Sequence, residues 1–166
     1  MKAIRIHEDG GPEVLRYEDV PDPEPASGEV LVSMRAASLN HLDVWVRRGL
    51  PSVPKPRILG ADGAGVVAGL GAGVEGFALG DRVVVNPGIP HDGRITVIGE
   101  HTDGTHAEQI AVPASNVYEI PAVLDLNGDG KLEVIVHSHY YEGAETTIYD
   151  CSGGKCKAVL SVACGA

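Results

Sequence analysis

The stretch ILGADGAGVVAGLGAGVEGFALGDRVVVNPG, residues 58–88, decides the fold. Within it GAGVVA, residues 63–68, satisfies the spacing G-x-G-x-x-[GA] that marks a dinucleotide site in a βαβ unit. The spacing works only where a strand leads in and a helix N-terminus follows to hold a pyrophosphate. Here the continuation is GLGAGVEG, and each of Gly69, Gly71, Gly73 and Gly76 would cost a helix about 1 kcal/mol relative to alanine. The stretch therefore reads as a glycine-rich strand and turn of an all-β domain.

The neighbouring sequence agrees. Residues 2–7 (KAIRIH) alternate in polarity, residues 14–20 follow a GGPE turn, and the proline-rich PDPEPASG leads into a strand at 29–35. Further strand-like runs lie at 65–68, 82–86, 95–98, 106–112 and 116–120. Short strands spaced this closely argue for a barrel or sandwich. One segment reads as helix: 40–48 (NHLDVWVRR) opens on Asn40, able to cap the first turn, and closes on basic residues before Gly49, where cations suit the helix dipole.

Composition sets the building material and excludes some partners. With 43% hydrophobic and 22% charged residues among 166, a core can form. Aromatic residues are only 4%, so Val, Ile, Leu and Ala must supply the burial. The formal charge is 13 − 23 = −10, which argues against nucleic acid, whose phosphates need a clustered positive surface. No apolar stretch approaches the roughly 20 residues of a membrane span, and no signal peptide opens the chain. The expectation is a soluble, cytoplasmic protein with neither nucleic acid nor membrane as partner.

Composition changes near Pro121. All 11 prolines lie at or before it, and Cys151, Cys156 and Cys164 all lie after it. We therefore expect two pieces, 1–120 and 121–166, of different origin. The second reads as an acidic turn followed by three strands, in VLDLNGDGKLEVIVHSHYYEG (123–143) and TTIYDCSGGKCKAVLSVA (146–163).

Four stretches of the first piece carry a family resemblance: MKAIRIHEDGGPEVLRYEDVPDPEP (1–25), GEVLVSMRAASLNHLDVWVRRG (28–49), residues 58–88, and GEHTDGTHAEQIAVPASNVYEIP (99–121). In this order they resemble the GroES-like N-terminal domain of medium-chain dehydrogenases/reductases, nearest the quinone oxidoreductases and zinc-type alcohol dehydrogenases. The resemblance implies a mainly β fold: a GroES-like β-barrel with one or two short helices, here extended by the three-stranded segment. It also implies an active-site cleft against a separate domain that holds NAD(P)H, with Asn40, His41 and Asp43 at the cleft. The alternative role of these three is capping and packing around the short helix.

Three departures from the family pattern shape the expected chemistry. The zinc-binding members carry Cys where this chain has Asn40, and Gly-His-Glu where it has Gly60, Ala61 and Asp62. The remaining carboxylate and amide make a poor zinc site. The four-cysteine zinc lobe expected after NPG (86–88) is replaced by IPHDGR, which reads as a turn. No nucleotide-binding domain follows residue 121, so neither zinc nor NAD(P) is expected, and no residue of this chain is expected to be catalytic. A wall that normally meets that domain would then be covered by the tail strands or drive homo-oligomer formation.

The tail holds a different motif. Asp125, Asn127, Asp129 and Glu133 place oxygens at positions 1, 3, 5 and 9 of a loop, Gly130 stands at position 6, and Lys131 can offer its carbonyl at position 7. Ca2+ takes about six to eight oxygens, and this spacing turns alternate side chains inward. Val136 occupies the place of the bidentate Glu of an EF-hand. The loop thus resembles the calcium hairpins of FG-GAP or VCBS-type repeats, which makes a chimera, engineered or recombined, the expected origin. The other reading of the loop is an acidic turn with no ion.

His137 and His139 share one face of the following strand, as a metal pair or as exposed strand histidines. Cys151 and Cys156 flank SGGK, where a hairpin could bring them within disulfide reach or leave them as free thiols. Two functions follow: a non-catalytic scaffold with a structural Ca2+ loop, or an oxidoreductase subunit that borrows a nucleotide-binding partner in trans.

Overall fold

The computed structural model describes residues 1–91 and 93–120, with residue 91 in backbone only, and the backbone of three strands within 121–166. The chain divides into two compact units, Met1–Ile120 and Pro121–Ala166.

The first unit is built on antiparallel sheets. The largest has five strands in the order β10-β6-β5-β3-β9, comprising Val117–Glu119, Arg82–Val85, Gly63–Leu70, Glu29–Ala37 and Gln109–Pro113. Alternation places Val30, Val32, Val67, Val83, Val85, Ile110, Val112 and Val117 inward with Ile98, and every one of them is β-branched. Such side chains are stiff and suit the pleated surface, so a core whose buried members include no aromatic ring still packs, with half-buried Phe77 against it. The glycine-rich segment is β5, bonded to β3 on one edge and β6 on the other. It runs on into a turn, so the reading of residues 63–68 as strand holds, and the strand is longer than 65–68.

A second sheet has the order β2-β1-β4: Leu15–Asp19, Lys2–Ile6 and Arg57–Ile58. It buries Ile6 with Val14, Val46 and Leu59 on one side and Ala3 with Val20 and Ile58 on the other. The single α-helix among the described residues, α1, spans His41–Arg47 with Asn40 at its N-cap, and two 3-10 turns occupy Pro12–Val14 and Ala114–Asn116. No described helix is long and apolar enough to cross a membrane.

Where the sequence suggested a turn at 89–94 leading to a strand at 95–98, β7 (Gly88–His91) pairs with β8 (Arg94–Val97). Buried Asn116 ties this pair to the main sheet, its amide donating to the carbonyls of Asn86 (3.0 Å) and Gly88 (2.5 Å).

In the second unit, β11 (Glu133–Tyr140), β12 (Gly143–Ser152) and β13 (Lys155–Gly165) form an antiparallel meander. Its register sets Cys151 opposite Cys156. His137 and His139 lie two residues apart on β11. Asp125, Asn127, Asp129 and Lys131 fall outside the described residues, and of Glu133 only the backbone is described.

Candidate functional site

The residues expected at the cleft cluster at the N-terminal end of α1. Asp43, only 2% exposed, is the hub. Its Oδ2 accepts the Asn40 backbone N–H at 2.7 Å, and its Oδ1 accepts the Gly60 N–H at 2.8 Å. The first bond satisfies an N–H at the start of the helix, and the second fastens the helix to the 58–62 segment. Both oxygens of this buried side chain are thereby engaged by backbone donors, which fix it in place.

Gly60 has φ +99°, a conformation open to glycine, and a Cβ there would stand 2.5 Å from Thr105 Oγ1. The Gly104, Thr105 and His106 N–H groups donate to Ile58, Gly60 and Leu59 carbonyls, each at 2.9 Å. Fully buried Thr105 adds a bond from Oγ1 to the Asp62 carbonyl at 2.8 Å. His106 Nε2 lies 3.0 Å from the Ser38 carbonyl. A carbonyl only accepts, so Nε2 carries a proton there. Neither Thr105 nor His106 stands out in sequence, since each is separated by dozens of residues from the partner it meets.

On the outer side, Asn40 Nδ2 donates to Asp62 Oδ2 at 2.8 Å, and Ser38 Oγ donates to the same oxygen at 3.2 Å. Asn40 and Asp62 therefore come together as the resemblance implies, but they satisfy each other. Ala61, in the place of the family's His, is apolar and 5% exposed. This amide-and-carboxylate pair does not fit zinc, which favours thiolate and imidazole. Among the described residues, no group of three or more His, Cys, Asp or Glu side chains could hold a metal. A dinucleotide finds no cradle at residues 63–70 either, because both edges of β5 are taken by neighbouring strands and no helix follows.

His41 and Trp45, one turn apart on the outer face of α1, stack with ring centroids 5.9 Å apart and planes inclined by 17°. Trp45 is 53% exposed, so the stack presents a flat conjugated surface beside the Asn40–Asp62 pair.

A valine-cored antiparallel β domain, with one short α-helix among the described residues pinned by a buried carboxylate, has the architecture of the GroES-like N-terminal domain of medium-chain dehydrogenases and reductases. The chain belongs to the alcohol dehydrogenase GroES-like domain family, whose model matches residues 26–122. It is 31% identical to a quinone oxidoreductase of Lama guanicoe, over 98% of this chain and 49% of the relative. It is 32% identical to a quinone oxidoreductase of Pseudomonas aeruginosa, over 92% of this chain and 46% of the relative. Among solved structures, an NAD-dependent alcohol dehydrogenase matches at 47% identity with a TM-score of 0.69, over 73% of this chain and 40% of that one. The chain thus spans about half the length of the curated relatives it matches.

Proposed function

We propose that residues 1–120 are the substrate-side domain of a zinc-independent oxidoreductase of the quinone-reductase type, non-catalytic unless a nucleotide-binding partner is supplied in trans. The observation that carries this reading is the Asn40–Asp62 hydrogen bond at the position where the zinc-type members place metal ligands. A carboxylate already holding an amide and a hydroxyl is a positioning element and offers no electrophile. The His41–Trp45 stack supplies a flat surface for a planar conjugated ring, in keeping with the quinone oxidoreductases among the relatives. Proximity of two reactants is worth about 7 to 11 kcal/mol of barrier, so turnover requires a nicotinamide-binding unit that sets the cofactor against this site.

The test is a titration of the 166-residue chain with a water-soluble quinone, followed by backbone and indole NMR shifts, with an NADPH-oxidation assay alongside. Shifts at Asn40, His41 and Trp45 that weaken in His41→Ala, with no turnover, are expected. Turnover by the chain alone would overturn the non-catalytic reading, and silence at millimolar quinone would overturn the platform.

For the second unit we propose a Ca2+ loop at Asp125, Asn127, Asp129, Lys131 and Glu133, supported by the oxygen spacing and by β11, in which the last of these residues lies. Together with the resemblance to FG-GAP or VCBS hairpins, it keeps open an origin separate from the first unit. Ca2+ at 100 times its dissociation constant should add about 2.7 kcal/mol to stability. Thermal unfolding with calcium and with chelator measures this, and a gain that persists in Asp129→Ala would exclude the loop.

A further inference from the structure

Arg47, on the last turn of α1, is 7% exposed, yet its guanidinium has no hydrogen-bond or ion-pair partner among the described residues. Burying a cation without a partner is costly, so such groups ordinarily find a carboxylate or move to water. Here no carboxylate closes on it, and its nitrogens keep contact with solvent only through a cavity. Asp43, one turn back, has each oxygen on a backbone N–H, and Glu13 accepts the Gly11 N–H at 2.8 Å and feels Arg47 only through space.

Arg47 instead lines a cavity of about 300 Å3 between α1 and the sheet of β1 and β2. Its nitrogens are not sealed: among the described residues the fully enclosed, unpartnered side-chain nitrogen is Arg57 Nε. The remaining wall is almost wholly apolar, with Ile4, Leu15, Leu39 and Leu59 around the charge and His106 as the other polar side chain besides Asp43. Leu39 is 74% exposed, and Ile4 and Leu15 are more than a third exposed, so the mouth is a ring of hydrocarbon open to solvent. Asn40, His41 and Asp62 do not line it.

We propose that this cavity is a binding site for a small monocarboxylate with an apolar tail, the carboxylate pairing with Arg47 and the tail lying against Ile4, Leu15 and Leu39. A guanidinium presents two parallel N–H groups that match a carboxylate. The volume lies at the lower end of the range for ligand pockets, about 300 to 1,000 Å3, and suits a single short chain or one ring. Phosphate is disfavoured, because a dianion needs several donors and these walls supply few.

The test uses the full 166-residue chain with octanoate and 1-octanol, equal in chain length and differing in charge, each followed by amide and methyl NMR shifts. Octanoate should bind at least tenfold more tightly than octanol and shift Ile4, Leu15 and Leu39, and Arg47→Met should abolish the preference while Arg47→Lys retains part of it. Equal binding of the two probes, or octanoate shifts elsewhere on the molecule, would overturn the proposal. If Arg47→Met does not fold, Leu39→Asp decides, because a carboxylate at the exposed mouth must weaken octanoate severalfold. Unchanged affinity in that variant rejects the site.

Discussion

Asp43 and Arg47 stand four residues apart on the inner face of α1, both charged and both buried, and their surroundings are opposite. The carboxylate is met by two backbone N–H groups, one from its own helix start and one from Gly60. The guanidinium meets hydrocarbon and a void. Removing either charge alters the same face of the helix, but only the first change leaves hydrogen-bond partners behind. A buried charge is thus structural when its neighbours depend on it, and available for a ligand when they do not.

The sharpest way to break this comparison is Asp43→Ala, which strands a buried backbone donor at Gly60 and an N–H at the start of α1. A loss of about 3 kcal/mol is expected in urea unfolding. A loss below 1 kcal/mol would mean that water replaces the carboxylate. Gly60→Ala attacks the same link from its other end through the positive φ and the contact with Thr105, and should cost about 2 kcal/mol. Arg47→Met should change stability by less than about 1 kcal/mol in either direction, since a buried charge exchanged for an apolar group of similar length is often neutral or better. A large loss there would reveal that Arg47 is structural after all.

The smallest effect concerns a half-buried carboxylate on β2. Glu18 accepts from His7 at 2.7 Å and from Arg5 at 2.6 Å. The His7 contact first, then the Arg5 contact, hold its carboxyl below the ordinary 4.5. A lowered folded-state value means that its contribution to stability is complete above about pH 4.5 and fades as pH falls through the lower value. Carboxyl 13C titration should show the low midpoint, and His7→Gln should return it toward 4.5. No change in that variant would assign the shift to Arg5 alone.

Much of the fold is legible along the chain because its signals are local. Alternation at residues 2–7, and valine-rich runs at 29–35 and in β6, mark strands whose inward faces, with Val30, Val32, Val83 and Val85, make the core. Asn40 and the Arg48–Gly49 end bracket α1 closely. What escaped is non-local or too short. β4 has two residues and exists by pairing with β1, and β7 carries Pro90, a residue that argues against a strand in isolation. Arg47 reads from sequence as a solvent-facing cation at a helix end. Only the shared face with Asp43 and Val46, packed against Leu59, takes it inside. The site divides the same way: the Asn40-to-Asp43 turn is three residues long, whereas Asp62 meets Asn40 across 22 residues and Thr105 across 43.

The valine core has a spectroscopic consequence. The sole tryptophan, Trp45, sits half in water on the outer face of α1, and the fully buried side chains include no aromatic ring. The interior of residues 1–120 is therefore optically dark. Loss of the main sheet should leave indole emission almost unmoved, while a ring docking on His41 and Trp45 should change it at once. Fluorescence from this protein reports occupancy of one surface, and methyl resonances of the nine inward β-branched residues report its folding.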